Sequence, residues 1–202
     1  MEHYTSSEVF KYEKGWSRRL LPHYDGCSTY QFITYRLKDS LPKSILNRLE
    51  MIKDESDLEY RKKIETHIDN GYGSCILEVD DCANIIISSW KFFDNDRYRL
   101  LAYVVMPNHV HVLIQVMENQ ELSKIIHSWK SYTSNQLKKV LALLGNNDLF
   151  PENGVWQREY WDRFIRSEEH YHNTIAYIHY NPVKAGLVKH SKDWPWSSKR
   201  IK

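Results

Sequence analysis

The sequence predicts an α+β fold: one central antiparallel sheet of the ferredoxin-like type, with helices packed on one side of it. Three observations lead there. Segments with strand alternation and segments with helical period follow one another in the order strand, helix, helix, strand, strand, helix, extended, helix. The two adjacent strands are separated only by Pro107-Asn108, a tight-turn pair, so they form an antiparallel hairpin. Strictly alternating strand–helix units, which a parallel doubly wound sheet requires, are missing.

Each element has a local reason. Residues 28–37 (STYQFITYRL) alternate and are rich in aromatic and β-branched side chains, a strand signature. Ser40 as cap and Pro42 near a first turn open a helix or helix pair, in which Ile45, Leu49 and Ile52 recur at helical spacing before charges crowd in. Residues 69–74 (DNGYGS) read as a loop. Residues 80–93 read as a helix capped by Asp80 or Asp81, and 97–107 and 109–116 as the hairpin strands. Residues 121–144 are a helix by period and length, and 145–154 a loop. Residues 155–165 read as a strand or an irregular extended segment. Residues 167–180 form a last helix, with Ser167 as N-cap and Glu168 and Glu169 in its first turn. Pro182 disfavours helical geometry in the residue before it, so that helix is expected to end by Asn181.

At 202 residues the chain is long enough for one domain with a real core, divided here into an N-terminal extension (1–27), a catalytic core (28–181) and a C-terminal tail (182–202). No apolar run reaches the ~20 residues of a membrane helix, and the N-terminus lacks the apolar stretch of a secretory signal. The cysteines Cys27, Cys75 and Cys82 form no CxxC pair, which fits a reducing cytoplasm and argues against a zinc ribbon or disulfide scaffold. A net charge of +2 says little about nucleic acid, but 14 Tyr and 7 Trp offer surfaces on which bases stack.

The chemistry concentrates in MPNHVHVLIQ (106–115). His109 and His111 are two apart on a strand, so they share a face, with Cα atoms roughly 6.6 Å apart, while Val110, Val112 and Ile114 take the core face. The pair then faces outward, where two imidazoles converge on one cation. The same spacing also suits two polar residues satisfied within the fold. A bis-histidine pair is incomplete as a catalytic metal site, and a helix laid on that face is the natural source of a third ligand. The last helix offers Tyr171, Tyr177, Tyr180, His170, His172, His179 and Asn181. Residues four apart share a helical face, so an Asn181 that ligates a cation has Tyr177 beside it, whereas Tyr180 points elsewhere. Asn181 also suits a plain helix terminator, and Tyr177 a half-buried aromatic.

HVH after a strand and turn, then YIHYNPVKAGLV on a later helix, resembles the single-tyrosine HUH transposases. More narrowly, RRLLPHYDG, YRLLAYVVMPNHVHVLI, IIHSWKSYT, WQREYWDRFIRSEEHY, YIHYNPVKAGLV and DWPWSS, in that order, resemble the REP-associated tyrosine transposases, over about residues 18–198. The resemblance implies a ferredoxin-like HUH domain, with His109, His111 and Asn181 as ligands of Mg²⁺ or Mn²⁺ and Tyr177 as nucleophile. It implies cleavage and strand transfer of single-stranded DNA beside REP-like hairpins through a 5′-phosphotyrosine link, without a nucleotide cofactor or a membrane, in a monomer or homodimer. Trp129, Lys130, Lys138 and Lys139 on one helix, and Arg158, Arg163 and Arg166 beyond it, are candidate DNA contacts. Two other functions compete: a metal-dependent phosphoesterase in which water attacks, and a hairpin-binding protein without catalysis.

Overall fold

The computed structural model describes residues 16–18, 22–24, 29–51, 57–146 and 154–200. Cys27, most of the N-terminal extension and most of the expected 145–154 loop lie outside these residues. A two-stranded sheet, β1 (Trp16–Arg18) with β2 (Pro22–Tyr24), precedes the main sheet. The main sheet contains β3 (Tyr30–Arg36), β4 (Tyr98–Val105), β5 (His109–Val116) and β6 (Trp161–Phe164), in the order β4-β5-β3-β6, every neighbour antiparallel. Strand β3 is joined to β4 through α1 (Lys43–Met51), α2 (Asp57–Ile68) and α3 (Asp80–Phe92), and β5 to β6 through α4 (Leu122–Leu143). Those are the two crossovers and the central hairpin of the ferredoxin-like arrangement. Helix α5 (Glu168–Lys184) follows β6.

The helices do not all lie on one side, as the sequence suggested. Ile33, Tyr35, Val110, Val112 and Ile114 pack against α3 and α4 through Ile86, Trp90, Ile125, Ile126 and Trp129. On the opposite face, Phe32, Leu113, Ala102 and Val104 pack against Ile175 and Ile178 of α5 and Trp194 of the tail. Both faces of the sheet are therefore covered, which explains why β5 is apolar and buried almost throughout. A smaller cluster of Leu41, Ile64 and Ile68, with Trp161 against it, holds α2 beside β6.

Local details differ from expectation in three places. Helix α5 runs through Pro182 to Lys184. Proline removes one amide donor and crowds the carbonyl four residues earlier. Here Asn181 and Pro182 are both buried, so tertiary packing holds one further turn, with Asn181 and Pro182 carbonyls accepting from Ala185 and Leu187 amides. Ser40 does not cap α1: its hydroxyl donates to the Leu37 carbonyl at 2.7 Å. Asp80 and Asp81 sit in the first turn of α3 rather than at its cap, which is Val79. Ser167 does cap α5, accepting from the His170 amide at 3.1 Å.

The tail lines the free edge of β4. The Val105 amide donates to the Trp196 carbonyl at 2.9 Å, and the Trp194 indole to the Val105 carbonyl at 2.9 Å. No helix among the described residues is long and apolar enough to cross a membrane.

Candidate active site

His109 opens β5 directly after the Pro107-Asn108 turn, which the Met106 amide closes by donating to the His109 carbonyl at 2.9 Å. The register sets His109 opposite Arg36 and His111 opposite Thr34. Both imidazoles share one face, with ring centroids 4.9 Å apart. They do not face outward to solvent as the sequence reading had them. They are 1% and 0% exposed, because α5 lies over this face.

Each ring is oriented through Nδ1. Asn108 is wholly buried, and its amide nitrogen donates to the carbonyls of Ile68 at 3.1 Å and Tyr72 at 2.9 Å. Its Oδ1 is thereby turned to His109 Nδ1, 2.8 Å away, so that nitrogen carries the proton and Nε2 keeps a lone pair. His111 Nδ1 lies 2.7 Å from Thr34 Oγ1, and donation from Nδ1 likewise leaves Nε2 bare. Holding a ring through Nδ1 in this way leaves Nε2 free to meet a ligand. The Tyr72 carbonyl is placed by Gly73, whose φ is +90° and where a Cβ would meet the Asp39 carbonyl oxygen at 2.5 Å.

Burial holds both imidazoles neutral. His109 is pushed down to about 3, by desolvation first and then by the charges of Lys184 and Arg36. His111 is held well below the usual histidine range by desolvation, then by His109 and Lys184. Neutral imidazole is the ligating form.

Helix α5 supplies the rest. Tyr177 and Asn181 are one turn apart, with their side chains in contact, and Tyr177 faces His111. The Tyr177 ring meets His111 edge-on at 5.4 Å and Phe32 at 5.9 Å. Tyr177 thus sits over the histidines of its own chain. Asn181 is 1% exposed. His109 Nε2, His111 Nε2, Asn181 Oδ1 and Asp69 Oδ1 are buried here without a hydrogen-bond partner, while the Tyr177 hydroxyl interacts with the side chains of Asn181 and Glu65. Leaving such groups unsatisfied costs about 1–3 kcal/mol each, so their gathering at one point marks a place built for a ligand. Among the described residues no three His, Cys, Asp or Glu side chains form a ligating cluster. The Asn181 amide is a further buried oxygen donor on α5, and imidazole nitrogens with an amide oxygen are a donor set that suits a divalent cation.

Two acidic residues stand in the site that the sequence reading left in a surface helix and a loop. Glu65 lies in the last turn of α2 and Asp69 directly follows it, its amide donating to the Glu65 carbonyl at 3.1 Å, so the two side chains share a face. Glu65 lines a cavity of about 260 Å³ together with Tyr177, Phe32, Thr34, Trp161 and Arg163. Its carboxyl is pushed upward, chiefly by desolvation. Burial, then the negative charges of Glu65 and Asp69, pushes the Tyr177 phenol above its ordinary range. Lys184 donates to Asp69 Oδ2 at 2.8 Å and lies 5.7 Å from the Tyr177 ring centre.

The candidate DNA contacts separate. Trp129 is 2% exposed, and its indole donates to the Tyr98 hydroxyl at 2.9 Å in the core under α3, out of reach of any base. Lys130 is committed to the carbonyls of Gln157, Arg158 and Glu159, and burial lowers its ammonium to about 8. Lys138 and Lys139 are exposed on α4, across the sheet from the histidines. Arg158, Arg163 and Arg166 are exposed, and Arg163 borders the Tyr177 cavity. Of the other polar residues of α5, His170, Asn173 and Thr174 line the Tyr177 cavity, whereas Tyr180 is 58% exposed and His179 contacts Ser198 Oγ at 2.8 Å.

Comparison with known proteins gives these geometries a family context. The family described as "Transposase IS200 like" matches residues 58–181. A protein of Haemophilus influenzae that carries the name REP-associated tyrosine transposase is 35% identical over 103 residues, 50% of this chain and 58% of that one. The REP-associated tyrosine transposase of Escherichia coli K12 is 29% identical over 101 residues, 50% of this chain and 54% of that one. The matches thus cover little more than half the length of these curated relatives. A solved REP-associated tyrosine transposase bound to a REP hairpin shares the fold, with a TM-score of 0.53 at 20% identity over 90% of this chain and 82% of that one.

Proposed function

The chain belongs to the IS200-like transposase family, and from that premise we propose that it cuts and rejoins single-stranded DNA beside hairpins through a phosphotyrosine link on Tyr177. The observation that supports this most is the placement of the Tyr177 ring 5.4 Å from His111, whose buried Nε2 has no partner in the protein.

His109, His111 and Asn181 would hold the divalent cation, Mg²⁺ or Mn²⁺, which when bound supplies Lewis-acid polarisation of the scissile phosphate. Asn108 and Thr34 fix the rings so that both Nε2 lone pairs point into the site. The Tyr177 oxygen attacks phosphorus in line. Its raised pKa means the phenol is protonated at rest and must lose its proton during attack. Glu65, beside it in the cavity, is the carboxylate placed to accept that proton. The P–O3′ bond breaks as the tyrosine ester forms, and the departing 3′-oxygen takes up a proton. Because the ester conserves the energy of the broken bond, a 3′-hydroxyl reverses the step, and transfer to a new strand needs no nucleotide cofactor.

The partner in this reading is a hairpin with single-stranded flanks; the solved relative is bound to a REP hairpin. Arg158, Arg163 and Arg166 would take backbone phosphates. A labelled hairpin oligonucleotide with single-stranded flanks, incubated with Mn²⁺, tests the reading. Cleavage with a covalent protein–DNA band supports it. Cleavage without that band favours a water-using phosphoesterase, and binding without cleavage favours a hairpin-binding protein.

A further inference from the structure

We propose that the cavity beside Tyr177 is a pocket for one unpaired nucleobase of the DNA strand, a base flanking the bond that is cut. The proposal rests on the reading that this chain cuts single-stranded DNA through Tyr177.

The cavity has a floor and a wall that the fold sets in place. Strands β3 and β6 make the floor. Phe32 lies opposite Arg163 and Thr34 opposite Trp161, and cross-strand partners share a face of the sheet. All four line the cavity. Helix α5 makes the wall. Its lining residues His170, Asn173, Thr174 and Tyr177 recur at three- and four-residue spacing, so one helical face is turned to the cavity.

Size and chemistry both point to a base. The volume, about 260 Å³, falls just short of the ~300–1,000 Å³ of pockets that bury drug-sized molecules. It suits a single ring system rather than a run of strand, and a base held in a duplex is not free to enter. The lining is mostly apolar, and Phe32 and Trp161 in it are half-buried aromatics. Such side chains are the platforms on which unpaired bases stack. Trp161 adds a polar handle, because its Nε1 is buried and has no hydrogen-bond partner. An indole N–H only donates, and the ring nitrogens and carbonyls of a base edge are acceptors of the kind it lacks. A phosphate is a poor occupant, since the Glu65 carboxyl lines the same cavity. Arg163, exposed in the lining, is the group placed for a phosphate outside it.

Position ties the pocket to the chemistry. The Phe32 ring meets Tyr177 edge-on at 5.9 Å and stacks with His111 at 5.5 Å. A base seated on this floor therefore lies beside the tyrosine, with its own phosphate close to the histidines. The pocket selects which phosphate of the strand meets Tyr177.

Hairpin oligonucleotides, each with one abasic site in a single-stranded flank, test the pocket. Binding is measured in chelator, so that nothing is cut, with circular dichroism confirming the fold of each variant. Removing one base next to the cleaved bond should weaken binding to the wild type about 10-fold. In Trp161→Ala the same removal should cost under about 3-fold, because the base has already lost its platform. The absence of any sensitive flank position overturns the pocket, and so does a loss of equal size in Trp161→Ala. Where Trp161→Ala does not fold, iodouracil at the sensitive position is photo-crosslinked to the wild type instead. An adduct on the peptide holding Phe32 or Trp161 supports the pocket, and its absence there overturns it. In each of these cases a covalent protein–DNA band with Mn²⁺ leaves the tyrosine reading standing. A protein that neither binds the hairpin nor forms that band overturns both.

Discussion

Asn108 Oδ1 and His109 Nδ1 lie 2.8 Å apart, and that one bond decides which nitrogen of His109 faces the site. The Asn108 amide is in turn locked by the Ile68 and Tyr72 carbonyls. Asn108→Ala should therefore free the ring to rotate and to change tautomer. The expected loss is about 10–100-fold in metal-dependent cleavage. It should come with about 1–3 kcal/mol of stability, since two buried carbonyls lose their donor. Cleavage rates and urea unfolding on the same preparation check both.

Stability of the metal-free protein should fall as pH falls from about 6.5. Both site histidines have folded pKa values depressed below the ordinary 6.5, His109 to about 3. Below 6.5 the unfolded chain binds protons that the folded chain refuses, so acid favours unfolding. Stability from these groups is fully present above about 6.5. It is lost toward about 3, at up to about 1.4 kcal/mol per pH unit for each histidine. Urea unfolding in chelator between pH 7 and 5 should show this slope, and His111→Gln should reduce it by one histidine's share. An unchanged slope in that variant contradicts the assignment.

Trp129 and Arg163 should fail in opposite ways. Trp129 packs against Trp90 and Tyr98 with ring centroids 6.3 and 5.1 Å apart, so Trp129→Ala opens a core cavity. It should cost about 3–5 kcal/mol of stability. Arg163 is exposed at the rim of the Tyr177 cavity, so Arg163→Ala should leave stability within about 0.5 kcal/mol. It should instead weaken DNA binding and lower the slope of log affinity against log salt by about 1. Thermal unfolding and binding titrations at several salt concentrations distinguish the two.

Much of this layout is legible in the sequence. The alternation of β3 and β5 and the Pro107-Asn108 turn mark the hairpin and the shared face of His109 and His111, and helical spacing sets Tyr177 beside Asn181. Burial of the histidines was not legible, because it depends on where α5 docks. The extra turn past Pro182 was missed because local proline geometry gave way to packing of Asn181 and Pro182. The core position of Trp129 is legible in the helical spacing of α4: Leu122, Ile125, Ile126, Trp129, Thr133 and Leu137 form one buried stripe. Glu65 and Asp69 share a helical face too, but nothing local tells a solvated acidic face from one that closes over two histidines.

The most direct test asks whether Tyr177 becomes joined to DNA. The wild type and Tyr177→Phe are incubated with Mn²⁺ and a hairpin oligonucleotide with single-stranded flanks. Denaturing gels are then read for adducts, and any adduct is digested and mapped by mass spectrometry. The account predicts a wild-type adduct on the peptide containing Tyr177, none with chelator and none in Tyr177→Phe, which should still bind the hairpin and stay folded. An adduct that persists in Tyr177→Phe, or one that maps to another residue, contradicts it.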